Sequence, residues 1–239
     1  MKTLGVIGGL GPMATAYFME LIISMTDAAK DQDHLNMIIY NRPDTPDRTD
    51  FIVGKSKEDP RPVLIDLGRQ LRQQGADLIA IPCNTSHYFH EELEREIGLP
   101  VINMVRETVL YLKKYSIKKA GILATDGTIK TRLFQTELEK EGIKWVIPNA
   151  GDQKKVMRLI YDDVKAGRPI EENLFFDVKN ALLSAGAQII VLGCTELSVI
   201  KRGICLGPDI LDGLEVLAKC SIEKCGYKLK AEYKELIEL

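Results

Sequence analysis

Two stretches of the chain, "KTLGVIGGLGPMATAYF" from Lys2 and "KKAGILATDGTIKTRLF" from Lys118, align without a gap. Gly5 falls on Gly121, Gly11 on Gly127, Thr15 on Thr131 and Phe18 on Phe134. Further on, "GADLIAIPCNT" from Gly75 aligns with "GAQIIVLGCTE" from Gly186, and Cys83 falls on Cys194. Either match alone could be chance, because short apolar strands resemble one another. Two matches in the same order, at nearly the same offset, indicate an internal duplication. A chain of this kind is constrained to fold as two similar halves that face each other.

Short β-branched runs alternate with longer amphipathic segments, the pattern of parallel βαβ units. Strands are expected near Thr3–Ile7, Met37–Tyr40, Leu78–Ile81 and Val101–Ile102 in the first half. In the second they fall near Ala120–Leu123, Trp145–Ile147, Ile189–Leu192 and Ile204–Leu206. Helices fill the gaps at Pro12–Lys30, Pro62–Gln74, Ser86–Ile97, Met104–Tyr115, Ile129–Glu141, Gln153–Lys165, Glu171–Ser184 and Leu211–Lys224. "NRPDTPDRTD", residues 41 to 50, reads as a long proline-rich loop without regular structure, and loops of that length are commonly functional or mobile. The fold class expected is α/β: two pseudo-symmetric parallel-sheet domains with the active site in the cleft between them.

The balance of residues narrows the partners. With 239 residues, 45% hydrophobic and 28% charged, the chain has enough apolar material for real cores. A net charge of -2 with interspersed signs gives no basic patch, so no nucleic-acid partner is expected. The first apolar run, Leu4 to Ile7, is too short for a signal peptide, and no stretch approaches membrane-spanning length. Five cysteines, an odd count without zinc-ligand spacing, imply reduced thiols in the cytoplasm and no metal site.

"GVIGGLGPMAT", residues 5 to 15, looks like a nucleotide-binding turn, because Gly9, Gly11 and Ala14 fit G-x-G-x-x-A. A dinucleotide site also needs an acidic residue at the end of the second strand, and here that strand ends Tyr40–Asn41–Arg42. The aligned turn of the second half has lost the glycine cluster. The cofactor reading weakens, while a glycine turn before a helix still offers backbone N–H groups to a carboxylate. Gly9, Gly11 and Pro12 are therefore expected to shape a pocket, with Thr15 as a weaker candidate contact.

Ligands of open α/β sheets bind beyond the carboxyl ends of the strands. Cys83 ends "LIAIPC" and Cys194 ends "IIVLGC", so each thiol is expected at that edge of its half. Residues able to begin a helix come directly after each one, and a helix N-terminus lowers a thiol pKa. Two thiols brought face to face by the duplication would form an acid/base pair flanking one small substrate. Inverting a stereocentre that carries an acidic proton needs such a pair, a base on one face and an acid on the other. Cys205, Cys220 and Cys225 lack this context and are assigned to packing. His87, four residues after Cys83, raises the alternative of a Cys–His hydrolase. That alternative leaves Cys194 unexplained, and His87 and His90 are assigned to helix surface and domain packing, His34 to the surface.

At this point "GGLGPMAT", "PDRT" at 46 to 49, "PCNT" at 82 to 85, "ATDGT" at 124 to 128 and "GCTEL" at 193 to 197 carry a resemblance. Over nearly its whole length the chain resembles the aspartate/glutamate racemase family, and within it the aspartate branch. The resemblance implies a cofactor-free enzyme, usually a homodimer, in which Cys83 and Cys194 are the catalytic pair. It implies that the C-terminal helix returns to the first domain, giving residues 1–105 plus 209–239 and 106–208. It implies that Asn84, Thr85 and Thr195 hold the substrate α-carboxylate and that Thr125 of "ATDGT" lies in the site. Arg48 and Lys165 match the cations that receive a second carboxylate, although a lysine near a helix C-terminus is favourable anyway. Glutamate racemases of the peptidoglycan type resemble "DSGxGG" and "GCTH"; Glu196 stands here instead, to orient Cys194 or meet the substrate ammonium. By analogy Cys194 acts on the L-substrate and Cys83 on the D-substrate. The expected substrate is aspartate, with glutamate next. Alternatives are a maleate- or hydantoin-type isomerase of the same superfamily, or a non-catalytic two-lobed sensor of acidic amino acids.

Overall fold

The computed structural model of the protein describes residues 1–237. Its first half carries parallel strands β1 (Leu4–Gly8), β2 (Met37–Asn41) and β3 (Leu78–Ala80), in the order β2-β1-β3. Val101 extends this sheet only as an isolated parallel bridge to Ile79, so the fourth strand expected there is reduced to one contact. The second half repeats the order with β4 (Lys119–Leu123), β5 (Lys144–Val146), β6 (Ile189–Leu192) and β7 (Ile210–Asp212), arranged β5-β4-β6-β7. The seventh strand lies beyond the run Ile204–Leu206 expected to form it. That run ends in a turn with Gly207 and Asp209 at positive φ, pinned by Lys179 Nζ donating to the Leu206 and Pro208 carbonyls. The fully buried Ile210–Asp212 pairs with β6 instead.

The duplication shows in packing as well as order. A Cβ on Gly5 would lie 2.7 Å from Ile79 Cδ1 and 3.2 Å from Leu71 Cβ. On Gly121 it would lie 2.7 Å from Ile190 Cδ1 and 3.2 Å from Leu182 Cβ. Both glycines thus let a helix and a neighbouring isoleucine close over the central strand of their half.

Helices α1 (Pro12–Met25), α2 (Arg48–Val53), α3 (Arg61–Gln73), α4 (His90–Ile97) and α5 (Met104–Lys114) belong to the first half of the chain. The second half adds α6 (Asp126–Lys130), α7 (Leu133–Lys140), α8 (Ala150–Arg158), α9 (Glu172–Ser184), α10 (Thr195–Gly203) and α11 (Gly213–Lys224). The connections cross over: α5 packs on α7 of the second half, α11 packs on α1 of the first, and α5 and α11 pack on each other. Phe18 and Phe134, the aligned pair, are both fully buried in one apolar cluster that also takes Leu112 and Leu214. Separate clusters cover the outer faces of the two sheets.

Three further expectations need correction. Helix α1 stops at Met25 rather than running to Lys30, because Thr26 and Asp27 turn aside to pair with Leu229 and the Lys228 carbonyl. The proline-rich stretch is not wholly irregular: Asp47 caps α2 by accepting from Asp50 N at 3.0 Å, and Gly54 ends it in the left-handed conformation. The helix expected over Gln153–Lys165 changes character at Leu159, where a wider π-helical turn, Leu159–Lys165, takes over. Such turns are frequent at functional sites.

The Gly121 contact is testable. Gly121→Ala should lower stability by about 1–3 kcal/mol through overpacking, read from denaturant midpoints. In an Ile190→Val background, which lacks the clashing Cδ1, the loss should be clearly smaller. Equal losses in both backgrounds would refute this packing account.

Candidate active site

Cys83 lies just past the end of β3 and Cys194 just past the end of β6, each in extended conformation at the N-cap of a helical segment. After Cys83 the chain makes a 3-10 turn, Asn84–Phe89, before α4; after Cys194 it enters α10 directly. Both thiols line one small cavity of about 10 Å³ between the halves. Arg48, Asn84, Thr85, Thr125, Lys165, Thr195 and Glu196 line the same cavity, so these seven residues and the two cysteines are brought together. Leu10, Asp47, Thr49 and Tyr161, which the sequence did not single out, complete it. Gly9, Gly11 and Pro12 line an adjoining chamber of about 300 Å³.

The two thiols have opposite surroundings. Cys194 Sγ donates to Glu196 Oε2 at 2.9 Å. Burial, then the Glu196 carboxylate, push the Cys194 thiol well above its ordinary range, and Lys165 offsets only part of this. The sequence expectation of a lowered pKa at a helix N-terminus is therefore wrong for Cys194: desolvation and an adjacent carboxylate outweigh the dipole. Cys83 instead lies beside Arg48, a side chain only 7% exposed. Burial opposes the Arg48 charge, yet Cys83, Asp47 and Glu196 together hold its pKa above the ordinary value.

Arg48 is placed by the glycine turn. Its Nη2 donates to the Leu10 carbonyl at 3.0 Å and its Nη1 to the Pro46 carbonyl at 3.1 Å. Among the described residues its Nε has no partner, and neither have the side-chain nitrogen and oxygen of Asn84, which is 2% exposed. Buried polar atoms are nearly always satisfied, so these are places where a ligand's charged groups would complete the structure. Gly9 has φ +91, and a Cβ there would lie 2.3 Å from Arg42 N, so the turn is filled by the chain's own backbone. A Cβ on Gly11 would lie 3.3 Å from Glu196 Oε1, so the carboxylate nearest this turn is the protein's own. Thr15 does not line either cavity; its hydroxyl accepts from Gly9 N at 2.9 Å and braces the turn.

The far side of the cavity is held by contacts between the halves. Asp47, the cap of α2, pairs with Lys165 Nζ at 3.2 Å and accepts from the Tyr161 hydroxyl at 3.3 Å. Lys165 also lies 3.9 Å from the centre of the Tyr161 ring. Burial works against the Asp47 charge, but Lys165 and the Asp50 N–H more than offset it and hold the carboxyl below its ordinary value. Burial likewise works against the charge on Lys165, and Glu196, Tyr161 and Asp47 overcome it and hold the ammonium. Burial pushes the Tyr161 phenol up to about 12, so it remains a donor. Thr49, Thr85, Thr125 and Thr128 form a cluster of hydroxyls, with Oγ separations of 3.0 to 3.2 Å, that ties α2 and the Cys83 turn to α6. Two signals could have found the missed residues. Asp47 sits three residues before Asp50 in a capping pattern, and Tyr161 lies one turn before Lys165.

His87 is buried rather than on a helix surface, and its ring nitrogens face the carbonyls of Cys83 and Ile102 at 2.9 and 3.1 Å. Burial lowers its pKa to about 4. It engages the backbone of Cys83, not the thiol, which removes the ground for a Cys–His dyad. His34 is half-buried, and His90 contacts the Val101 carbonyl at 2.8 Å. Of the cysteines assigned to packing, Cys225 is buried, Cys220 half-buried beside Glu107, and Cys205 exposed on the turn before β7. No cluster of metal-ligating side chains occurs among the described residues, and no helix among them is long and apolar enough to cross a membrane.

Comparison with known proteins agrees with the fold. An aspartate racemase of Picrophilus torridus superposes with a TM-score of 0.83 at 32% identity, covering 98% of both chains. The broad specificity amino-acid racemase RacX of Bacillus subtilis (strain 168) is 29% identical over 223 residues, 92% of this chain and 96% of that protein. A glutamate racemase of Francisella tularensis shares the fold, with a TM-score of 0.65 at 18% identity, covering 93% of this chain and 80% of that one. Fold and relatives together define an isomerase of the racemase type, which sets the sensor alternative aside. The chain belongs to the Asp/Glu/Hydantoin racemase family, whose model matches residues 7–220.

The Cys194–Glu196 contact makes a prediction of definite sign. A negative charge raises a thiol pKa, so Glu196→Gln should let the Cys194 thiolate form at lower pH than in the unaltered protein. Ultraviolet thiolate absorbance against pH, corrected by the matching Cys194→Ser variant, measures this. An unchanged titration would mean that Glu196 does not control the thiol.

Proposed function

We propose that the protein interconverts L- and D-aspartate, with glutamate the next candidate, by a two-base mechanism without pyridoxal phosphate or metal. The observation that carries the reading is the pair of thiols at equivalent strand ends lining one cavity with two cations, Arg48 and Lys165. One sulfur, as thiolate, takes the α-proton. The electron pair left on the α-carbon spreads into the α-carboxylate, and the opposite thiol returns a proton to the other face. Nothing is oxidised or reduced, and the configuration is inverted.

The surroundings give the two sulfurs different starting roles. A thiolate at Cys83 has Arg48 to pair with, whereas the Cys194 thiol already donates to Glu196. In this proposal Cys83 acts as base and Cys194 as acid in one sense of turnover. Turnover in the other sense starts from the state that forward turnover leaves, with Cys83 protonated and Cys194 as thiolate beside Glu196. Asn84, with both amide atoms unpartnered, is the first candidate to bind the α-carboxylate or ammonium. Thr85 and Thr195 support it, and Thr125 contributes through the hydroxyl cluster. Arg48 Nε and Lys165 Nζ receive the second carboxylate, Lys165 by exchanging Asp47 for substrate. The assignment of Cys194 to the L-enantiomer and Cys83 to the D-enantiomer stands as part of the same proposal. So do a homodimer, a cytoplasmic setting in keeping with five free cysteines, and a division into 1–105 plus 209–239 and 106–208, supported by the packing of α11 on α1.

L-Aspartate incubated with the purified protein in deuterated water, without pyridoxal phosphate, should lose optical rotation and gain α-deuterium. Cys83→Ser and Cys194→Ser should each slow this by about 10²–10⁴-fold, the contribution of a positioned acid or base. Full activity in either variant would refute the two-base mechanism. Arg48→Ala should weaken aspartate turnover far more than removing an exposed arginine such as Arg95. An equal effect would remove the side-chain carboxylate assignment.

A further inference from the structure

A substrate as short as aspartate, whose side-chain carboxylate ends at Arg48 and Lys165, leaves the apolar outer part of the chamber beside the two cysteines without a role. At about 300 Å³ the chamber reaches the size of small-molecule sites, whereas the cavity between the cysteines, about 10 Å³, has room for little more than one water. The two spaces share a wall made of Asp47, Arg48, Lys165 and Glu196. These four are all the charged residues lining the chamber. The groups that line it alone are uncharged, and its outer walls are apolar: Pro12, Met13, Pro43, Val164 and Val199. A molecule whose α-carbon lies between the sulfurs can extend past the shared wall only into a space of that character.

We propose that this chamber is a side-chain subsite for α-amino acids longer than aspartate with uncharged, apolar side chains, methionine and leucine being the model cases. The inference rests on the racemase reading above and extends its substrate class. A carboxylate-bearing side chain ends at the shared wall, where Arg48 and Lys165 meet it. An apolar side chain passes between them and buries its end against Pro12, Met13 and Val199. A charged side-chain terminus in the chamber would have no partner on the outer walls, and leaving it unpaired is unfavourable. Met13, 54% exposed at the start of α1, is an unbranched side chain of the kind that adapts to ligands of different shape.

The test compares α-proton exchange of L-aspartate and L-methionine in deuterated water, followed by NMR, together with calorimetric binding of methionine. The unaltered protein should exchange both. Val199→Trp, which fills the chamber from α10, should lower kcat/KM for methionine about tenfold or more, within the range one pocket contact commands, and change aspartate less than about twofold. Met13→Trp, at an exposed position that tolerates bulk, should act in the same direction. If both substrates fall together, the chamber is only a passage and the proposal is overturned. It is also overturned if the unaltered protein neither exchanges nor binds methionine. If methionine exchanges and aspartate does not, the acidic assignment fails while the chamber stands. If no amino acid exchanges but methionine binding is lost in Val199→Trp, the racemase reading fails and the subsite survives.

Discussion

The cavity between the cysteines depends on one buried cation. Arg48 carries a charge that burial opposes, and a charge in that position persists only when hydrogen-bonded and matched by anions. Leu10 and Pro46 supply carbonyls, Asp47 and Glu196 supply carboxylates, and Cys83 lies alongside. Each of these comes from a different constraint on the chain. The glycine turn brings the Leu10 carbonyl inward, the capped α2 presents Arg48 and Asp47 together, and the second half delivers Glu196. The two chemically alike thiols differ because this cation stands nearer one of them and a carboxylate touches the other.

Much of this was legible in the sequence, and the duplication is the reason. Aligning Gly5 with Gly121 and Cys83 with Cys194 anticipated two similar halves and the placement of both thiols past strand ends. What escaped was local or environmental. Prolines hid α2, although Asp47 and Asp50 form a helix start that outweighs them. The seventh strand was shifted because "ICL" and "ILD" have similar patterns, and only the turn at Gly207–Asp209 decides which one reaches the sheet. The sign of the Cys194 shift was missed because spacing reveals a helix start but not the degree of burial. Thr15 was misread for a similar reason: a hydroxyl near a pocket in sequence was already committed to Gly9 N.

The largest apolar cluster of the molecule does not respect its halves. Phe18, Leu112, Phe134 and Leu214 belong to one cluster, and α5 and α11 each lean on the half opposite their own strands. Pulling the two halves apart would expose side chains each worth about 1.5–3 kcal/mol of burial. Lifting α2 breaks the Asp47–Lys165 pair, the Tyr161 contact, a Thr49 hydroxyl bond and the Arg48 bond to the Leu10 carbonyl, and takes Phe51 off Phe89; each neutral bond is worth about 0.5–1.5 kcal/mol. The halves are therefore joined by a shared apolar core, whereas α2 meets the second half through polar groups, Asp47 on Lys165 and Tyr161 and Thr49 on Thr125. Asp47 and Lys165, which line both the cavity of the sulfurs and the chamber beside it, are charged groups that a charged visitor can engage.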